Sequence, residues 1–183
     1  MSDIDSRLRR WARGLEMVAL LMVFLLPLLT AWLWWHADSW REWHLSLPAA
    51  FQIAGVAPEQ LSPSQRLMGF MSNMPALAAG CLVFFTLARI CHWYRQGELF
   101  SARVAQAYRR FALGMLAWAL GEVLAGTLLV LALTLDKPEG QRLLSIGIGG
   151  DVMAMVLVGL AIHLLGQVME AGRRLQEEHS LIL

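Results

Sequence analysis

The chain has 183 residues, of which 57% are hydrophobic and 16% are charged. The length fits one domain, but this composition is too apolar for a typical soluble domain. The formal net charge is only +1. No overall charge bias therefore points to nucleic acid or to an acidic substrate, and the composition favours an integral membrane protein.

Four stretches are apolar over the length of about 20 residues that a bilayer-spanning helix needs. They cover residues 15–35, 67–88, 111–135 and 152–171. Each is too long and too uniformly apolar for an amphipathic surface helix. The sequence therefore predicts an all-α integral membrane four-helix bundle, with residues 1–183 as a single transmembrane domain.

The first span follows an arginine-rich segment that resembles the start of a signal peptide. Its apolar run exceeds the length of about 7 to 15 residues that is typical of a cleavable signal. No convincing small-x-small cleavage site follows Trp34 and Trp35. We expect a retained signal anchor.

Arginine and lysine are distributed unevenly between the two sides of this bundle. Eleven of the 15 basic residues lie before the first span, in the loop 89–110 or in the tail 172–183. The other four lie in the loops 36–66 and 136–150. Basic residues are enriched in cytoplasmic segments, so we expect both termini and the loop 89–110 in the cytoplasm.

The first outer loop, residues 36–66, is long for a compact domain. Bulky apolar and polar positions alternate from Trp40 to Ala54, with Pro48 between them, which predicts a short interfacial helix or two. Ser62 or Ser64 is expected to cap the next helix. Tryptophans crowd the outer end of the first span and are expected to anchor at the headgroup level, with a ligand-binding aromatic box as the alternative: Trp32, Trp34, Trp35, Trp40 and Trp43.

The cytoplasmic loop carries clear helix-stop and helix-start signals. Gly97 is expected to end the second long helix and Ser101 to cap the third. Asp151 is expected as a cap or first-turn residue of the fourth. Three arginines near the inner leaflet are expected to contact anionic lipid headgroups rather than nucleic acid: Arg103, Arg109 and Arg110.

Small residues repeat at helical spacing along the third and fourth spans. Membrane helices associate through close packing of such residues and through polar contacts. We expect the fourth-span stripe, which also carries His163 and Glu170, to face the bundle. The predicted helix-packing residues are Gly114, Ala117, Gly121, Ala125, Gly159 and Gly166.

Glu122 and His163 are the ionisable residues placed most deeply in the predicted spans. Such groups usually face the bundle interior and find partners. We therefore predict that they form a buried hydrogen bond or ion pair. The pair is either proton-responsive or a structural clip between two helices, and a protonated Glu122 is a further alternative.

Cysteines and histidines give no strong metal or redox signal. Cys81 and Cys91 are ten residues apart in one predicted helix, roughly 15 Å along its axis, which is too far for a disulfide. Catalytic residues, a metal and a cofactor are not expected, because no zinc or nucleophile motif is present. The five histidines are His36, His44, His92, His163 and His179.

Two motifs carry a family resemblance: Gly97 to Ser101 ahead of a basic helix, and Val168 to Ala171 running into Leu175 to Glu178. With the entry to the second span at Arg66 to Pro75, the chain resembles the bacterial family called domain of unknown function 2975. The resemblance implies a four-span bacterial inner-membrane protein, without a known reaction or substrate. Its motif residues here are Gly97, Glu98, Phe100, Ser101, Glu170, Ala171, Leu175, Glu177 and Glu178.

The tail after Glu170 is predicted to continue as a helix, because Arg173 and Arg174 stand three or four residues from acidic residues. This is either a solvated helix end or a docking site for a cytoplasmic or membrane partner. Our leading expectation is a noncatalytic partner-binding or regulatory membrane module. The alternative is a small transporter or channel component that uses Glu122 and His163, with homo-oligomers expected, and a membrane enzyme comes third.

Overall fold

The computed structural model describes residues 3–43, 48–98, 101–135, 137–138 and 140–180, with the side chains of 3–8 and 174–180 excepted. In the described part, the chain is 82% helical and has no strands. Four helices are long and apolar enough to cross a membrane: Arg9–Trp35, Met74–Arg95, Ala102–Thr134 and Gly150–Arg173. The predicted all-α class with four candidate spans is confirmed.

The described residues form six α-helices and two short 3₁₀ helices. The 3₁₀ helices are Ala37–Ser39 and Pro58–Gln60. The short α-helix Ala49–Ala54 lies within the stretch from Trp40 to Ala54 where the sequence predicts a short helix or two. The α-helices are α1 Asp3–Trp35, α2 Ala49–Ala54, α3 Pro63–Ser72, α4 Met74–Arg95, α5 Ala102–Thr134 and α6 Gly150–Ser180.

The predicted span 67–88 is divided between two helices. The α3 helix ends at Ser72, Asn73 is its C-cap residue, and α4 begins at Met74. Pro75 has no backbone N–H, so it cannot continue the hydrogen-bond ladder of α3. The Ser72 hydroxyl and the Asn73 amide both donate to the carbonyl oxygen of Gly69 at this break.

The helices begin and end at the capping residues that the sequence predicts. The side chain and backbone of Ser62 form a capping box with Gln65 at the start of α3. Gly97 follows α4 with a left-handed φ of 86°, and Ser101 Oγ accepts a hydrogen bond from Val104 N at the start of α5. Asp151 lies in the first turn of α6. These predictions are confirmed.

The chain forms two compact units. The first unit contains Met1–Phe24, Gly80–Leu116 and Ala154–Leu183, and the second contains Leu25–Ala79 and Ala117–Met153. In the first unit, glycines allow α4, α5 and α6 to approach closely. A Cβ atom on Gly114 would lie 2.9 Å from Val83 Cγ2, and one on Gly159 would lie 3.2 Å from Met115 Cβ.

The second unit has an aromatic core. Trp34 and Trp40 are only 5% and 6% exposed. Their rings form an edge-to-face pair with centroids 5.1 Å apart, and Phe51 packs against both. The prediction that all five outer tryptophans are headgroup anchors is therefore wrong for these two, because the polypeptide between α1 and α2 folds back over the end of α1. Trp35 remains exposed.

Helix α5 packs in the second unit through Gly121, where a Cβ atom would lie 2.8 Å from Ala76 Cα. Gly114, Gly121 and Ala125 are buried as predicted, but Ala117 is exposed. Ala119, on the other side of α5, is buried instead. The packed face of this helix therefore does not include Ala117.

Candidate functional site

A groove in the first unit collects polar side chains from α5 and α6. Its volume is about 430 Å³. Four of its residues come from positions 163, 166, 167 and 170, which share one face of α6 because they are three or four residues apart. The groove is lined by Arg109, His163, Gly166, Gln167, Glu170 and Ala171.

Gly166 positions the two helices that form the groove. A Cβ atom there would lie 3.2 Å from Tyr108 Cβ and 3.7 Å from Arg109 Cγ. A hydrogen atom at this position lets the α5 backbone come close enough to place Arg109 beside α6. Tyr108 is held on its other side by Tyr94, whose hydroxyl oxygen lies 2.7 Å from that of Tyr108.

Hydrogen bonds orient the polar side chains of α6. Gln167 Nε2 lies 3.1 Å from His163 Nε2. An amide nitrogen only donates, so the ring nitrogen accepts. Arg173 donates to both carboxylate oxygens of Glu170, from Nη2 at 2.8 Å and from Nε at 3.2 Å. This bidentate geometry is the stronger form of an arginine–carboxylate pair, and it confirms the predicted pairing of Glu170 with Arg173.

The predicted Glu122–His163 pair remains a prediction. Glu122 belongs to the second unit and His163 to the first. Within its own unit, Glu122 Oε1 accepts a hydrogen bond of 3.0 Å from Trp118 Nε1. Both ionisable side chains are half-buried in the protein rather than fully buried.

The sequence analysis missed an ion cluster in the first unit. Glu16 on α1 is 13% exposed, and its carboxylate lies between two basic side chains of α4. His92 Nδ1 is 3.1 Å from Glu16 Oε1, and Arg95 Nη1 donates to Glu16 Oε2. Gln96 Nε2 is 2.9 Å from His92 Nε2. The sequence features that could have indicated this cluster are the lone carboxylate of Glu16 in an apolar segment and the basic residues His92 and Arg95 in the last turn of α4.

The two family motifs lie at different places in the first unit. Glu98 is 3.8 Å from Arg103 in an ion pair beside Gly97, and Ser101 caps α5. Glu170 and Ala171 line the groove. Phe100 lies outside the described residues. The backbone of Leu175, Glu177 and Glu178 is helical, but their side chains lie outside the described part.

The structure also places the remaining residues that the sequence analysis named. Arg103, Arg109 and Arg110 are all exposed on α5, and the two cysteines are free. No three His, Cys, Asp or Glu side chains come together to hold a metal ion among the described residues. His44 and the side chain of His179 lie outside those residues.

Four long apolar helices define this chain as a multi-pass membrane protein. More specifically, it belongs to the family described as "Protein of unknown function (DUF2975)", whose sequence model matches residues 49–182. The resemblance noted from the two motifs is thereby confirmed. No curated protein and no solved structure matches the chain.

Proposed function

We propose that this protein is a noncatalytic membrane module that binds or regulates a protein partner through the groove between α5 and α6. The observation that carries the proposal is the convergence of a basic, an imidazole and an amide side chain on one open groove: Arg109, His163 and Gln167. Polar side chains in a spanning helix are unfavourable against lipid, so they usually face other protein.

The hydrogen-bonding groups of the groove indicate which side chains a partner would present. Arg109 is exposed, so its guanidinium is available for a carboxylate. Gln167 is also exposed and offers an amide oxygen. A partner helix that carries an acidic side chain beside a polar one would satisfy both groups. Such contacts between membrane helices are a recognised source of association.

Two further features support a binding role over a catalytic one. The described lining residues include no serine, threonine or cysteine to act as a nucleophile beside His163. The α6 helix also continues to Ser180, nine residues beyond the apolar stretch 152–171 that the sequence predicts as the span. This extension carries the acidic family-motif positions, where a partner would have further surface to contact.

For location, we propose a bacterial inner membrane with both termini in the cytoplasm. The support is the excess of arginine in the first part of α1, at the end of α4 and along the start of α5. In this orientation the groove lies near the cytoplasmic end of α6, where a membrane or cytoplasmic partner has access.

The proposal is tested by site-specific photocrosslinking of the full chain in its native membrane. A photoreactive residue replaces Gln167 in the groove, and Leu165, which is 54% exposed and lies outside the groove lining, is the control site. We expect a discrete crosslinked protein from position 167 only. Arg109→Gln should abolish it, whereas the neighbouring Arg110→Gln should leave it intact.

An unchanged crosslink in Arg109→Gln, or equal crosslinking from both sites, would argue against the groove as the binding surface. A crosslink to a second copy of this chain would identify the partner as a homo-oligomer. No crosslink from position 167 would remove the partner-binding proposal.

The second candidate is a small transporter or channel component. The observation that favours it is Glu122, a half-buried carboxylate within a candidate span. Proton flux into proteoliposomes should then be measurable and should fall in Glu122→Gln. Absence of flux with the unaltered chain would eliminate this candidate.

A further inference from the structure

An aromatic pocket with one basic side chain lies in the second unit. Its volume is about 580 Å³, within the range of roughly 300–1,000 Å³ that is typical of small-molecule sites. Two tryptophans, a phenylalanine and aliphatic side chains form most of its walls, and Arg66 supplies the only charge among the described lining residues. The lining residues are Ala31, Trp34, Trp35, Leu61, Pro63, Arg66, Leu67 and Phe70.

The walls of this aromatic pocket are held by the fold itself. The Trp34 ring covers Gly69 so closely that a Cβ atom there would overlap it. The same ring belongs to the buried core of the unit. The Ser62–Gln65 capping box defines the first turn of α3, which carries Arg66. The pocket is therefore preformed.

Arg66 has unused hydrogen-bonding capacity at the pocket. Its Nη1 donates to the carbonyl oxygen of Trp35 at 2.9 Å. The same atom forms an ion pair with Asp38 Oδ1 at 3.8 Å, which is too long for a hydrogen bond. Its Nε is buried and has no hydrogen-bond partner among the described residues. A buried donor without an acceptor is unfavourable, and a bidentate anion would satisfy it.

We propose that this pocket binds an anionic acyl lipid, with the carboxylate or phosphate on Arg66 and the hydrocarbon chain against Trp34, Trp35 and Phe70. Charge complementarity selects an anion, and the apolar walls select a hydrocarbon chain over a small hydrophilic ion. Leu67 and Trp35 are 62% and 78% exposed, so the pocket opens onto an apolar surface through which a lipid enters.

The test uses the purified full chain in nanodiscs of zwitterionic phosphatidylcholine. Hexadecanoic acid is the probe, and hexadecanol, which has the same chain without the charge, is its control. We expect the acid to bind at least about tenfold more tightly than the alcohol, a difference of about 1.4 kcal/mol. Equal saturable binding of acid and alcohol, or no saturable binding of any anionic lipid probe, would overturn the proposal.

Two pairs of variants locate the site. Arg66→Gln should weaken binding of the acid at least about tenfold. Arg41→Gln should not, because Arg41 is exposed in the same unit and pairs with Glu59. Leu67→Trp should fill the pocket and block binding, whereas Leu128→Trp, on the exposed surface of α5, should not. Unchanged affinity in either pocket variant would overturn the assignment.

Should Arg66→Gln fail to fold, Leu67→Trp and the acid–alcohol comparison decide the question. A second arm replaces the fatty acid with phosphatidylglycerol. Saturable binding of only the acid identifies a free fatty acid as the source of the ligand, and binding of only the phospholipid identifies a membrane lipid. Loss of the groove crosslink in Arg109→Gln tests the proposed function separately, because Arg109 belongs to the first unit.

Discussion

Glu16 and Arg95 are 79 positions apart in the chain, and Arg95 Nη1 nevertheless donates directly to Glu16 Oε2. The contact joins α1 to α4 within the first unit. Glu16 also contacts His92 at 3.1 Å, so one carboxylate contacts two basic side chains of α4. We expect this cluster to orient the two helices against each other, because charge-assisted hydrogen bonds are directional.

Replacing Glu16 with Gln should destabilise the protein by about 1–2 kcal/mol, less than a fully buried pair because Arg95 is 34% exposed. Thermal unfolding in detergent measures the change, and a double-mutant cycle with Arg95→Gln isolates the pair. The matched control is Glu59→Gln, whose partner Arg41 is 72% exposed. This control should cost less than about 1 kcal/mol. A coupling energy near zero for Glu16–Arg95 would contradict the prediction.

Gly121→Ala should destabilise the second unit by about 1–3 kcal/mol, because the new Cβ atom would lie 2.8 Å from the Cα atom of Ala76. The same change at Gly126 meets no atom within 4 Å. There it should be neutral or stabilising by up to about 1 kcal/mol, since alanine favours a helix. Thermal unfolding of both variants checks the pair of expectations. Equal midpoints would show that α5 does not approach α4 at Gly121.

Trp40→Phe should lower stability by about 1 kcal/mol or more, because the Trp40 indole N–H donates to the Leu33 carbonyl oxygen at 2.7 Å in the core of the second unit. Trp43 is 39% exposed, so Trp43→Phe should change stability by less than about 0.5 kcal/mol. Unfolding followed by circular dichroism compares the two. A larger effect at Trp43 would reverse our assignment of core and surface tryptophans.

The proposed orientation predicts opposite labelling of two loops. In a Cys81→Ala/Cys91→Ala background, Gln96→Cys should react with a membrane-impermeant maleimide only after the cells are permeabilised. Gln141→Cys should react in intact cells. Both positions are exposed in the structure. Labelling of position 96 in intact cells would invert the topology.

Part of the candidate groove was visible in the sequence. His163, Gly166 and Glu170 share a helical stripe by spacing alone, and all three line the groove. Arg109 was predicted only as a lipid contact and Gln167 was not singled out, because their place in the groove depends on how α5 lies against α6. The close approach at Gly166 sets that relationship.

The sequence by itself determined that the chain has four candidate spans, and it determined the helix ends at Ser62, Gly97 and Ser101. Hydropathy and capping depend on residues within a few positions of one another, so they are readable without a fold. Only the tertiary structure decided that Trp34 and Trp40 are buried, that Ala117 is exposed and that Glu16 pairs with α4. Each of these depends on which faces of distant segments meet, and local periodicity does not encode that choice.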